Sequence, residues 1–504
     1  MIIAFMGNDG SGKTTISRQI HKFFADLGFE TIYKHEYEYA ILRFLFKLIG
    51  KKKLEKSRNE MMVQKKRSVS YTLWPILVWF DLLMQYVYYR IFKRRSVILL
   101  DRYPYDQYMS FKYLGMLTKF TEWLYLHFPK PDMHLVLTVS PEIAYDRKKN
   151  THSYSISFYK KQTEEYLNLA RTLGISVINT NDNLQQTVIK VIEKFFQSSR
   201  VSNQILHKAN QNRVIFHRFR EYGLTNKANK DDSIQQALWK EYEYRLESFR
   251  RSLHCMRKII DGTGIRTYVV IKTMDDFHFI GNDIDMLISP SDFEKLLSEL
   301  IPNSGRYDVS EIKYDQTKDV GKIDVFPKRG MKIDIHSYIG WGNMIFFEFQ
   351  DLVRFIENSK LFNLDCKVLN SQINSFVIAT HAFEKGYLTL DEFLFLKKNF
   401  DRQHLCLTMP RISQSLDEFF IKLESILKNQ PSAYPIFFPL PIFARCYLKL
   451  LRSNGGIRKL HLFVRDLSMV AFWKFRYKVK EMLPFEVRLF GALYNDKIKK
   501  DNQA

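Results

Sequence analysis

The chain has 504 residues, 46% of them hydrophobic and 15% aromatic. That length exceeds one core and that composition excludes a disordered chain, so two to four globular units are expected, at roughly 150 residues each. The formal net charge of +23 favours polyanionic partners, and the four cysteines (Cys255, Cys366, Cys406, Cys446) carry no CxxC spacing, which excludes a disulfide framework and a zinc ribbon and fits a reducing cytoplasm.

From the N-terminus, apolar strands alternate with helical stretches. MIIAFMG reads as a strand, TTISRQIHKFFADLG as a helix closed by Gly28, and ETIYKHE as a second strand. SVILLD (96–101), MHLVLTV (133–139) and ISVIN (175–179) are further buried strands, with helices between. This alternation predicts a parallel sheet covered on both faces over residues 1–196. LWPILVWFDLLMQYVYYRIF (73–92) is apolar enough to suggest a membrane span. Asp81 and Gln85 fall in its middle, and a mid-membrane aspartate costs about 2.5–3.5 kcal/mol, so a buried helix is expected.

Residues 197–254 read as a polar helical linker. Residues 255–400 change character to α+β, with strands RTYVVIK, DIDMLIS, KIDVFP and KIDIHSY around the helix DFEKLLSEL. Residues 401–504 read as a basic, aromatic, helical segment. Two stretches are especially basic: ten Lys/Arg between 43 and 67, and ten more between 440 and 480. The second packs as a helical cap, binds nucleic acid, or lies on an anionic membrane surface; the pattern leaves the three open.

GNDGSGKTT (7–15) fits GxxxxGK[ST] between a strand and a helix, the context of a phosphate-binding loop. Gly7, Asp9, Gly10, Ser11, Gly12, Lys13, Thr14 and Thr15 are the expected ATP contacts. Glycines let backbone N–H groups wrap the triphosphate, and the helix N-terminus adds about half a positive charge. Lys13 is expected on the β/γ-phosphates and Thr14 on Mg²⁺. Asp101 and Arg102, in LLDRY, end a neighbouring strand; Asp101 suits a water-mediated Mg²⁺ contact or acceptor orientation, and Arg102 a phosphoryl oxygen.

These motifs, with PDMHLVLTVSPEIAYDRK (131–148) and TEEYLNLA (163–170), resemble thymidylate kinases over about residues 1–196. The resemblance implies a P-loop kinase using ATP and Mg²⁺ on a nucleoside monophosphate, in dimers. It places Asp9 at the acceptor and Arg147 over the transferring group. Where that family usually carries Arg-Glu-Pro-Gly-Gly stands KHEYEYA, and the helical Asp-Arg is replaced by Asp81-Leu82. A kinase for a sugar or other small molecule therefore stays open, as does a nucleotide-sensing or nucleic-acid-binding protein without turnover.

In DIDMLI, Asp283 and Asp285 lie two apart and share one strand face, an arrangement suited to a divalent metal when a third carboxylate joins. Asp334 in KIDIH is the expected third acid, with Asp324 in KIDVF as runner-up. This order resembles the nucleotidyltransferase fold over about 255–400, which implies Asp283, Asp285 and Asp334 as metal ligands and Lys272 at the donor phosphates. IKTMDDFHF stands where that fold normally has Gly-Ser. His336 and His381 read as packing residues.

Overall fold

The computed structural model describes residues 1–35, 69–149, 155–211, 233–274, 283–314, 321–341, 344–361, 363–429, 431 and 433–453. The basic run at 43–67, the tail beyond 453 and the stretch 275–282 lie outside them. Two compact units divide the chain, Met1–Lys208 and Ala209–Ala504.

In the first unit, β1 (Ile2–Gly7), β2 (Thr31–His35), β3 (Val97–Asp101), β4 (Met133–Thr138) and β5 (Ser176–Asn179) form one parallel sheet in the order β2-β3-β1-β4-β5. All six residues of β1 are buried, as a central strand covered on both faces requires. The register sets Phe5 and His35 beside Asp101, and Gly7 beside Leu137, so the carboxyl ends of β1 to β4 share one edge. Helices α1 (Lys13–Asp26), α2 (Val69–Phe92), α3 (Pro104–Tyr113), α4 (Lys119–Leu126), α5 (Pro141–Lys148), α6 (Ile156–Leu173) and α7 (Leu184–Gln197) complete it.

Helix α2 differs from the expected buried helix. Asp81 is buried, but Leu73, Leu77, Phe80, Met84, Val87, Tyr88, Ile91 and Phe92 are exposed. The reason is its position: α2 covers the sheet with one side only, and its other side is apolar too. Among the described residues no helix is long and apolar enough to cross a membrane.

The second unit holds a seven-stranded mixed sheet. Its strands are β6 (Tyr268–Val270), β7 (Asp283–Ile288), β8 (Val309–Lys313), β9 (Lys322–Pro327), β10 (Lys332–His336), β11 (Ile356–Leu361) and β12 (Leu364–Leu369). They run in the order β11-β12-β6-β7-β10-β9-β8. One face carries Ile284, Met286, Ile323, Val325, Ile333 and Ile335 into a core shared with Leu253, Met256 and Ile259 of α8 (Ser233–Thr263) and with Phe293 and Leu296 of α9 (Pro290–Leu300). The C-terminal half of the stretch read as linker thus runs into a core helix. Helices α10 (Ser371–Lys385), α11 (Leu390–Asn399), α12 (Asp417–Lys428) and α13 (Leu440–Ser453) follow. Phe383 of α10 meets Phe419 of α12 and Phe443 of α13 at ring-centroid distances of 5.1 and 4.8 Å, so the described part of the basic C-terminal segment packs as a helical cap.

Candidate functional site

The loop between β1 and α1 is shaped by glycines that nothing else replaces. Gly7 has φ 145°, and a Cβ there would lie 1.9 Å from the Leu137 carbonyl oxygen. Gly12, at φ 78°, turns the chain into α1. The loop is braced from outside: Asn8 exchanges hydrogen bonds with the Val139 backbone (3.3 Å each) and donates to Thr163 Oγ1 (3.1 Å). The Asp9 N–H donates to Gln162 Oε1 at 2.9 Å.

Lys13 is buried and folds back over the loop, donating to the carbonyls of Gly7 (2.8 Å) and Asn8 (3.0 Å). Burial lowers its pKa, opposed by Asp106, Asp9 and Asp101. Those carbonyls hold the ammonium against the loop backbone. Thr14 is half-buried and Thr15 exposed at the start of α1. Among the described residues the buried hydroxyl of Ser11 has no hydrogen-bond partner.

Asp101 is 1% exposed. Its Oδ2 accepts from Tyr33 (3.0 Å) and pairs with His35 Nδ1 (2.6 Å), while its Oδ1 is buried with no hydrogen-bond partner among the described residues. Arg102 reaches to 3.7 Å from Asp9 Oδ1 and has φ 138°, a backbone state that costs about 1–3 kcal/mol for a side-chain-bearing residue. Arg147 Nη1 donates to the Gly10 carbonyl at 2.9 Å, so this arginine already touches the loop. Arg102 also lines a small open cleft with Lys34, Gln85, Tyr86, Tyr89 and Tyr103.

Asp106 is the residue that sequence reading missed. It is buried on α3 and accepts from the Tyr103 N–H (2.9 Å), Tyr166 Oη (2.7 Å) and, more weakly, the Gly7 N–H (3.4 Å). Burial raises its pKa, opposed first by Lys13 and then Arg102. The signal was present: an acid three residues into a helix opened by Tyr103-Pro104 is an N-terminal cap position. His35 was passed over for want of a motif.

The thymidylate kinase family model matches residues 5–191. That stretch is a thymidylate kinase family domain. The region beyond it is assigned to no family. A probable thymidylate kinase of Saccharolobus solfataricus is 34% identical over 112 residues, covering 20% of this chain and 57% of that protein. One from Sulfolobus acidocaldarius is 27% identical over 198 residues, covering 37% of this chain and 92% of that protein. Among solved structures, a deoxyadenosine kinase from M. mycoides has 18% identity and a TM-score of 0.28, covering 39% of this chain and all of that one. The thymidylate kinase domain therefore accounts for the first unit alone.

In the second unit the register brings acids together on one sheet face. Asp285 lies beside Asp334, Asp334 beside Asp324, and Asp283 beside Lys332. Three lysines neutralise them. Lys272 Nζ donates to Asp285 Oδ1 (2.9 Å), Lys322 reaches Asp334 (3.0 Å) and Asp324 (3.3 Å), and Lys332 lies 2.7 Å from Asp334. Burial pushes Asp285 up, but Lys272 and His336 outweigh it and hold its carboxyl well below the usual range. Asp283 moves the other way, raised by burial and by Asp285. His336 Nε2, read from sequence as a packing group, lies 3.2 Å from Asp285 Oδ1. His381 is kept neutral, its pKa lowered well below the usual value by burial, then by Lys272 and Lys385. Lys272 itself has φ 58°, and its N–H donates to Asn374 of α10 at 3.1 Å.

Proposed function

We propose that the first unit transfers the γ-phosphoryl group of ATP to a nucleoside monophosphate, with dTMP the first candidate. The observation that carries this reading is the buried Lys13, held by the loop carbonyls at the edge where Asp101, Arg102 and Arg147 converge. The backbone of Gly7–Thr15 cradles the triphosphate, and Lys13 leaves the Gly7 and Asn8 carbonyls for its oxygens. Arg147, anchored at Gly10, neutralises charge on the transferring group. Asp9 and Arg102 set the acceptor at the mouth of the aromatic cleft.

The Thr14 hydroxyl and the orphaned Asp101 Oδ1 suit Mg²⁺, an oxygen-seeking cation. Held there, Mg²⁺ would supply charge neutralisation for the triphosphate. The test is ADP release from ATP, Mg²⁺ and dTMP, against a Lys13→Ala control. ATP binding without acceptor-dependent ADP release would leave a nucleotide-sensing module instead.

A second acceptor reading, a sugar or other small molecule with a hydroxyl, is favoured by one observation. His35 and Tyr33 close on Asp101 where the family's Arg-Glu-Pro-Gly-Gly stretch would begin. A hydroxyl must lose a proton to attack, and a histidine oriented by a buried aspartate is a group that takes one. For the second unit the reading is nucleotidyl transfer, supported by the convergence of Asp283, Asp285 and Asp334 on one face with Lys272 beside them. Pyrophosphate release from a nucleoside triphosphate, lost in Asp285→Asn, tests it.

A further inference from the structure

We propose that the first unit docks on an anionic membrane surface through the outer side of α2, which lies along the headgroups and does not cross them. Leu73, Leu77, Phe80, Met84, Val87 and Ile91 recur at spacings of four and three, one per turn, so they form a single line along the helix. Each is 38–51% exposed. The line runs for about 27 Å at a rise of roughly 1.5 Å per residue. The opposite side, with Trp74, Val78, Leu82 and Tyr86, packs into the core of the unit. The helix carries two charged side chains, and neither lies on the line: Asp81 is buried, and Arg90 pairs with Asp132 at 2.8 Å. A long exposed apolar row without a charge marks an interaction surface.

Charge selects the partner. The chain enters α2 from Lys65-Lys66-Arg67 and leaves it into Lys93-Arg94-Arg95, of which Arg94 and Arg95 are exposed. Between residues 43 and 95, fourteen Lys/Arg stand against Glu55, Glu60 and the buried Asp81. A second copy of the chain fits this row poorly. Two α2 helices paired in parallel would bring their Lys93-Arg94-Arg95 triplets together, and paired antiparallel would set each triplet against Lys65-Lys66-Arg67. Like charges meet either way, and that is costly at an interface. An anionic leaflet accepts both parts: the acyl boundary takes the apolar row, and the headgroups attract the basic ends by about fivefold in affinity per Lys or Arg.

A second exposed feature points to the same partner. Helix α4 is held to α2 by Trp79 Nε1, which donates to the Leu124 carbonyl (3.0 Å), and by Tyr125 Oη, which donates to the Pro75 carbonyl (2.9 Å). This neighbouring helix leaves Phe120 and Trp123 58% and 54% exposed, their rings stacked 6.4 Å apart. Tryptophan favours the level where headgroups meet acyl chains, because its ring is apolar and its N–H polar.

Docking is independent of the phosphoryl-transfer reading, and its test needs no acceptor. Full-length protein is sedimented with vesicles of phosphatidylcholine alone and of phosphatidylcholine mixed with phosphatidylglycerol. Binding to the mixed vesicles is expected to be tighter by at least about tenfold and to weaken as salt is raised. Phe80→Gln combined with Met84→Gln should weaken it by at least about tenfold while ATP-induced thermal stabilisation persists. Arg94→Gln combined with Arg95→Gln should cost about fivefold per charge on the mixed vesicles and leave phosphatidylcholine binding unchanged. Three results would overturn the proposal. One is no preference for the anionic vesicles. Another is binding indifferent to the Phe80/Met84 pair, which would place the contact in other basic stretches. The third is a lipid-free dimer, seen in sedimentation velocity, that the same pair dissociates, which would give the row to a second copy.

Discussion

Replacing Asp106 by alanine should unsettle the phosphate cradle more than any change to an exposed loop residue. The side chain accepts two short hydrogen bonds, from the Tyr103 N–H and Tyr166 Oη, and faces the buried Lys13. Each buried donor left without a partner costs about 1–3 kcal/mol, and breaking a buried charge pair costs about 3–5 kcal/mol. These overlap, because removing the carboxylate also removes its own desolvation cost. A net loss of about 3–4 kcal/mol is expected. For a unit of about 200 residues that lowers the melting temperature by roughly 6–16 °C. Asp106→Asn keeps one carbonyl oxygen and should lose about half as much. Calorimetry of the full chain, following the transition that ATP moves, measures both. A shift below about 2 °C for the alanine variant would refute the claim that Asp106 supports the loop.

Further outcomes follow from the same contacts. Gly7→Ala forces a Cβ to 1.9 Å from the Leu137 carbonyl, so ATP-induced thermal stabilisation should vanish in whatever protein remains soluble. Arg147→Ala should lower kcat about 100- to 1000-fold while leaving ATP affinity within severalfold, in steady-state kinetics. Burial pushes Glu384 up to about 7 from 4.5, with Lys272 and Lys385 opposing. The folded state then binds the extra proton between those values, so stability should fall as pH rises from 4.5 to 7, by about 2 kcal/mol. Glu384→Gln should flatten that slope in urea titrations across the range.

The parallel strands of the first unit could be read in advance because each is a short apolar run bounded by turn residues or charge, and the ends fell within a residue or two. The phosphate loop was legible because glycine spacing is a backbone requirement written into the sequence. Asp106, Asn8 and Gln162 were not, since each acts through a partner as many as 155 residues away. In the second unit, alternation in DIDMLI and KIDIH indicated which acids share a face, but not strand pairing. The hairpin of β11 and β12, at the sheet edge, was missed because IENSKL carries little apolar signal. The lysines at 322 and 332 also went unread. Each lies two residues before an aspartate, and only the register shows that they neutralise acids on neighbouring strands.

The most direct test of the central claim is label transfer. Protein incubated with Mg²⁺, γ-³²P-ATP and dTMP should yield labelled dTDP, and Lys13→Ala should not. Label appearing on an added nucleoside or sugar hydroxyl while dTMP stays unlabelled would contradict the monophosphate acceptor. Label remaining on ATP with every acceptor would contradict phosphoryl transfer itself.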